Sequence, residues 1–226
     1  IKFGNISIRE VYYYFKKHLS NQNGLFGQLY WREFYYYIAY YYPYVFGKSM
    51  KEKYDKIKWV SGKKEKEYLN KWINGKTGYP IVDAGMKELK TTGYMHNRSR
   101  LITSNFLVKL CLVDWQKGEE YYARMLTDYD PSVNNGNWQW TSGSGADSQP
   151  YFRIMNPWTQ GLKHDKDAEY IKKWLPQLKD IPSKELHEWD KHYTKYDLYE
   201  IDYEKPMINY VNARKNVLSK YKKYLE

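Results

Sequence analysis

Between Asn97 and Asp114 the apolar side chains recur at helical rather than alternating spacing. Ile102, Phe106, Leu110 and Val113 fall at intervals of three and four residues, which stacks them along one side of a helix. Leu101, Val108 and Leu112 lie along another side. A helix that is apolar on two sides is expected to be central, with other helices packed around it. Other segments have similar spacing. Ser7 to Leu19 reads as a first helix, ended by the polar Ser20-Asn21-Gln22-Asn23-Gly24. Leu25 to Tyr42 reads as a second, apolar on most faces and therefore expected to be buried, with Pro43 as its stop. Lys48 to Lys58 is charged and expected to be exposed. Glu65 to Asn74 carries Leu69, Trp72 and Ile73 on one side. Pro80 opens a further helix at its first turn and Gly93 closes it. Glu119 to Tyr129, Ala168 to Trp174 and Val211 to Tyr224 complete the set. Valine is scarce and alternating runs are few, which argues against a large sheet. The expected fold class is all-α, with residues 1–226 forming one domain.

Lys and Arg exceed Asp and Glu by 37 − 26 = 11. Such a balance favours an anionic partner, nucleic acid before a membrane surface. The single cysteine, Cys111, sits in an apolar run and cannot form a disulfide framework, which points to an intracellular, reducing compartment. No apolar stretch reaches the ~20 residues a membrane helix needs. Tyr30 to Phe46 is aromatic-rich, but Arg32, Glu33 and Pro43 interrupt it.

The densest chemistry lies between Leu126 and Trp140. Asp128 and Asp130 stand two residues apart, and Asp130-Pro131 has the form of a helix N-cap followed by proline in the first turn. Asn134-Asn135-Gly136-Asn137 reads as a backbone turn, since Asn and Gly tolerate left-handed conformations. Trp138 and Trp140 follow. Carboxylates, amides and indoles this close together suit a flat aromatic ligand with polar edges. Residue types alone favour a capped helix, a turn and two core tryptophans.

Asp128-x-Asp130-x-x-x-Asn134-x-Gly136-x-Trp138-Gln139-Trp140 resembles the flavin-binding signature of the photolyase and cryptochrome family. Gln28-Leu29-Tyr30-Trp31-Arg32-Glu33-Phe34, Thr77 to Met86, Gly93 to Arg100 and Tyr151 to Pro157 resemble the same family in the same order. Several long motifs in sequence are a specific signal. The resemblance implies a helical FAD-binding domain of the photolyase/cryptochrome type. In that family this domain follows an N-terminal α/β antenna domain, which has no counterpart here, so the antenna chromophore is not defined. The serine- and threonine-containing loop that helps hold the flavin diphosphate also has no counterpart. Phe3-Gly4-Asn5-Ile6-Ser7 resembles sequence just downstream of that loop. The chain is therefore expected to be the C-terminal part of a longer or split protein. A preceding or separate segment would complete it, and apolar surface would be left uncovered without that segment.

The resemblance also assigns residues. Arg100 would lie beside the isoalloxazine and pair with Asp128, a positive group held in place by a carboxylate. Asp130 would accept a hydrogen bond from the imide edge or the ribityl region, and Asn134 would face flavin N5. Plant cryptochromes carry Asp at that last position, so the amide fits a photolyase better. Trp138, Trp115 and Trp59 match the family's electron relay from the surface, with a small insertion between Trp59 and the next motif. Trp31 matches a tryptophan that stacks on a flipped-out pyrimidine dimer, and Trp140 would form the opposite wall. Asn97 matches a residue that reaches the dimer. Arg32, Arg98 and Arg153 match basic residues near the DNA backbone.

Two positions bear on the lesion. Gln28 stands where bacterial pyrimidine-dimer photolyases carry Glu, and Leu101 where they carry Met. Gln is typical of (6-4) photolyases and animal cryptochromes, but (6-4) enzymes carry His at the positions of Asn97 and Leu101. The Asn97-Arg98 pair points to cyclobutane dimers. The implied activity is light-driven repair of such dimers by electron transfer from reduced FAD, with no metal. A cryptochrome-like photoreceptor, a (6-4) photolyase and a flavin-less basic DNA-binding fragment are the alternatives.

Overall fold

The computed structural model describes residues 1–20, 24–148 and 150–225. The expected polar break at Asn21 to Asn23 lies outside them. Among the described residues the fold is helical, with no strand. The helices are α1 (Ile8–His18), α2 (Gly24–Tyr41), α3 (Gly62–Ile73), α4 (Pro80–Thr92), α5 (Asn97–Asn105), α6 (Trp115–Met125), α7 (Pro131–Ser142), α8 (Pro157–His164), α9 (Glu169–Trp174), the single turns α10 (Ser183–Leu186) and α11 (Trp189–His192), and α12 (Tyr210–Leu225). None of them is long and apolar enough to cross a membrane.

Among the described residues six of these twelve helices start on a side-chain cap or a first-turn proline. Ser7 caps α1 in a capping box: its hydroxyl accepts from Arg9 N and Glu10 accepts from Ser7 N, both at 3.2 Å. α4 begins at Pro80 and ends at Gly93, whose φ of 67° is the left-handed geometry of a C-cap. Asp83 lies fully buried in its first turn and binds the preceding Thr77-Gly78 turn through Thr77 N, Thr77 Oγ1 and Gly78 N. Only glycine fits at residue 78, because φ is +72° and a Cβ would stand 2.3 Å from Lys205 O.

α5 is central, as its spacing predicts. It packs on α4 and α7 and runs into a π-helical turn, Phe106–Leu110, that meets α3, α6, α7 and α12. Regular helix stops there rather than at Asp114. Cys111 N bonds Phe106 O at 3.0 Å, and Leu112 takes a φ of 53°. The wide turn buries all five of its residues, including Lys109, whose Nζ donates to Ser142 O at 2.7 Å. Asp114 instead caps α6 by accepting from Gln116 N at 3.1 Å. α6 thus begins four residues before the expected Glu119 and ends at Met125.

The main core gathers Trp72, Met86, Leu89, Ile102, Phe106, Trp138 and Trp189 from six elements. A smaller cluster of Tyr54, Ile57, Leu112, Val217 and Tyr221 seats α12. Tyr54 and Ile57, together with Ser49, are thus buried within the Lys48 to Lys58 segment that was expected to be exposed.

The expectation that α2 is buried fails. Only Phe26, Leu29 and Tyr35 are buried, whereas Tyr30, Tyr37, Tyr40 and Tyr41 are each at least 60% exposed. Among the described residues its main packing partners are α1, α7 and the turn at 43–46. Its apolar character comes largely from tyrosine, whose hydroxyl water can satisfy.

Candidate functional site

Three helices present the same spacing to one cavity. α2 contributes Gln28, Trp31, Arg32 and Tyr35, and α5 contributes Asn97, Arg100, Leu101 and Ser104. Both sets follow i, i+3, i+4, i+7, one face of a helix. α7 contributes Val133, Asn134, Asn137, Trp138 and Thr141, with Asp130 at its cap in the same register. Tyr122 of α6, the loop residues Leu126, Asp128 and Tyr129, Tyr94 and Met95 before α5, and Trp140 close the remaining sides. The cavity holds about 520 Å³, within the roughly 300–1,000 Å³ usual for small-molecule sites.

α7 passes straight through the Asn134 to Asn137 segment that reads locally as a turn. Tertiary contacts decide against the turn. Asn135 and Gln139 both donate to Val45 O, at 3.0 and 2.9 Å, and Asn137 donates to Val133 O within the helix. Gly136 lets α7 touch α2, since a Cβ there would stand 2.1 Å from the Tyr35 ring. Gly118 does the same between α6 and α7, with the Trp138 ring 2.1 Å from where its Cβ would be.

Charged groups converge within this frame. Arg100 donates through one terminal nitrogen to both oxygens of Asp128, at 3.1 and 2.9 Å, and through Nε to Met95 O at 2.6 Å. Asp130 accepts from Val133 N at 3.1 Å with one oxygen and from the Tyr36 hydroxyl at 2.5 Å with the other. Arg32 lies over the Tyr36 ring, 4.1 Å from its centre, and pairs with Glu33 at 2.6 Å. Asn134 donates to Glu119 O at 3.2 Å. Burial raises the Glu119 carboxyl, and the amides of Asn134 and Asn135 pull it partly back. Burial also pushes the Tyr35 hydroxyl up to about 12, with Asp147 adding to the shift.

Of the residues singled out from the sequence, Arg98, Arg153, Trp115 and Trp59 lie outside the cavity lining. Arg153 is exposed and Arg98 half-buried. Trp138 is buried in the wall, Trp115 is buried, and Trp59 reaches partial exposure. No ring contact among the described residues links these three. The Trp138 ring meets Tyr122 at 4.9 Å and Trp72 at 6.2 Å, both edge-on, and Trp59 meets Tyr221 at 6.3 Å. His96, next to Asn97, caps α5 by accepting from Arg98 N at 3.1 Å. Tyr35, Ser104, Asn137 and Thr141 escaped the sequence reading. Each lies three or four residues from an assigned neighbour, so helical spacing through the motifs points to them.

The sequence profile of the FAD binding domain of DNA photolyase matches residues 25–223. This chain belongs to that family. The deoxyribodipyrimidine photo-lyase of Escherichia coli K12 is 45% identical over 195 residues, which cover 86% of this chain and 40% of that protein. An archaeal photolyase from Sulfolobus tokodaii, crystallised with two FAD molecules, superposes with a TM-score of 0.88 at 43% identity. It covers 98% of this chain and 48% of the other. A class III photolyase from Agrobacterium tumefaciens gives 0.89 at 34%, covering 99% and 48%. The chain thus spans less than half the length of these relatives. The all-α fold is that of the photolyase FAD-binding domain, and the cofactor of the domain is FAD. The cavity suits it: Leu126, Val133, Met95 and the aromatic rings offer flat apolar walls, and Arg100, Asp128, Asp130 and Asn134 offer polar edges.

Proposed function

We propose that this chain is the flavin-holding, lesion-binding part of a deoxyribodipyrimidine photo-lyase that repairs cyclobutane pyrimidine dimers in DNA under blue light. One observation carries the reading. A single cavity is shared by residues matched to the flavin (Arg100, Asp128, Asp130, Asn134) and residues matched to the flipped-out dimer (Gln28, Trp31, Asn97, Leu101, Trp140). Reduced FAD, when bound, supplies on illumination the electron that opens the dimer and accepts it back afterwards.

The chain's own residues bind, orient and exclude water. The Arg100 guanidinium, held by Asp128 and Met95 O, sets a fixed positive charge in the wall, where it favours added negative charge on a ligand. Asn134 presents an amide to the flavin's polar edge, and Asp130 accepts there while its second oxygen stays on Tyr36. Trp31, 44% exposed, offers an indole face for a base pulled from the duplex, and Trp140 lines the same cavity as the second wall of that pocket. Gln28 and Asn97 supply amide contacts. Gln28 can donate a hydrogen bond but cannot supply a proton. Arg32, Arg98, Arg153 and the net charge of +11 attract the phosphates. Trp138, Trp115 and Trp59 are the residues matched to the electron relay; Trp138 lies buried in the cavity wall and Trp59 is partly exposed. His96 is engaged at Nδ1 by Arg98 N, and neither Asn97 nor Leu101 is His, which favours the cyclobutane over the (6-4) lesion. The exposed tyrosines of α1 and α2 support a further polypeptide segment, preceding or separate, that covers them and completes the domain.

The test is an absorption spectrum of the purified protein, alone and with a supplied N-terminal segment, followed by light-dependent repair of UV-irradiated oligothymidylate. Bound flavin with repair, and loss of damaged-DNA binding in Trp31→Ala or Asn97→Ala, is expected. Flavin photoreduction without repair would instead mark a light sensor. Protein colourless in both preparations overturns the reading.

A further inference from the structure

A second cavity of about 350 Å³ lies between the end of α3, α4 and the loop before α12. Asn70, Lys71, Asn74, Lys76, Lys87 and Glu204 line it, and none of them touches the first cavity. Three ammonium groups face one carboxylate. Glu204 is 3.8 Å from Lys71, whereas Lys76 and Lys87 have no carboxylate within 4 Å and no hydrogen-bond acceptor among the described residues. Three ammonium groups against one carboxylate leave the cleft net positive, which attracts anions.

Lysines at the end of a helix can simply complement its last carbonyls. Here the backbone already does so. Asn74 N bonds Asn70 O, Gly75 N bonds Trp72 O, and Lys76 N bonds Lys71 O at 2.9 Å. Asn74 is occupied as well, donating to Asn70 and accepting from Lys90 Nζ at 3.0 Å. The turn is shaped around Lys87. Gly75 has a φ of +59°, and a Cβ there would stand 3.2 Å from Lys87 Cγ and 2.9 Å from Asp83 O. The missing side chain is what lets the lysine stem lie across the turn with its charge directed by packing rather than by an ion pair.

We propose that this cavity binds a small phosphate ester bearing free hydroxyl groups, the chemistry of a ribonucleotide or a sugar phosphate. Lys76 and Lys87 hold the phosphate. Glu204, anchored beside Lys71, and Asn70 take the hydroxyls. The inference is independent of the light-driven reading, because the two cavities share no residue.

Calorimetric titration of the whole chain with AMP, glucose 6-phosphate, inorganic phosphate and undamaged duplex DNA tests it. At least one of the two esters should bind saturably at about 1 mM or below. The double variant Lys76→Ala/Lys87→Ala should weaken that ester about tenfold, with an unchanged melting temperature and unchanged FAD content. Glu204→Gln should weaken the ester while sparing inorganic phosphate. No saturable ester binding overturns the proposal. So does an effect of the double variant confined to duplex DNA, which would make these lysines part of a nucleic-acid track.

Discussion

Tyr36 donates its hydroxyl hydrogen to Asp130 at 2.5 Å while its ring lies beneath the guanidinium of Arg32. A residue outside the cavity lining thus ties the α7 cap to the arginine matched to DNA contact. Tyr36→Phe keeps the ring and frees the second oxygen of Asp130. One such hydrogen bond contributes about 0.5–1.5 kcal/mol. We therefore expect FAD affinity to fall roughly threefold to tenfold, with little change in melting temperature. The fluorescence of released FAD reports this directly, and unaltered retention would remove Tyr36 from a positioning role.

Gly136 and Gly118 set how closely α7 approaches α2 and α6. Alanine at either would put a methyl group inside an aromatic ring's volume, at 2.1 Å from Tyr35 and Trp138 respectively. Overpacking of this kind costs about 1–3 kcal/mol. Gly27 on α2 meets nothing within 4 Å, so Gly27→Ala should stabilise by roughly 0.5–1 kcal/mol through helix propensity. Urea melts of the three variants check the contrast. Equal stabilities for Gly136→Ala and Gly27→Ala would show that the α2–α7 contact relaxes freely.

Lys109 is buried with only the carbonyls of Ser142 and Tyr151 and the Tyr221 ring around its charge, and no carboxylate within 4 Å among the described residues. Desolvation lowers it to about 7. The unfolded chain, whose lysine titrates near ~10.4, then binds more protons between those values, so stability rises with pH across that window. The slope should reach about 1 kcal/mol per pH unit between roughly pH 7 and 8.5. Burial lifts the Tyr221 and Cys111 groups in the fold; the unfolded Cys111 thiol, which titrates near ~8.5, opposes the Lys109 slope toward the top of this window. Denaturant melts across it should show the rise in the parent and its loss in Lys109→Met, where the Cys111 thiol leaves only a shallow fall near the top of the window. A flat parent would mean that the carbonyl cage holds the ammonium at its ordinary pKa.

The starts of α4 and α7 were legible in the sequence because caps are local, whereas α6 was expected to begin at Glu119 and begins at Trp115. Pro80 with Gly93, and Asp130 with Pro131, carry their own boundary chemistry. Helix extents were not, because distant partners decide them. Asn134 to Asn137 stays helical since Val45 O takes amides from α7, and the Asn97 helix widens at Phe106 since Lys109 is drawn to Ser142 O. Burial of α2 was misjudged because its tyrosines count as apolar yet keep a hydroxyl for water. The family motifs contain Gln28, Trp31, Asn97, Arg100, Asp128, Asp130 and Asn134, which line one cavity. They missed Tyr35, Ser104, Asn137 and Thr141, whose side chains announce no chemistry and are found only by carrying the helical period through the motifs.

Arg100 and Asp128 separate stability from binding. The pair is partly exposed, at 26% and 44% for the two side chains, so its contribution to folding is small, about 0–1 kcal/mol. Its proposed value lies in direction. Asp128 holds the terminal nitrogen of Arg100 and Met95 O holds Nε, which leaves the guanidinium plane fixed toward the cavity. Asp128→Ala removes one of the two restraints and retains the charge. We expect a shift in melting temperature of less than about 2 °C alongside a marked loss of flavin, seen as a lower ratio of visible to protein absorbance after purification. Arg100→Lys should behave similarly, because an ammonium has no plane to orient toward the cavity. Full flavin content in both variants would place the restraint on the cofactor elsewhere in the cavity, with Asp130 and Asn134 as the remaining polar edges.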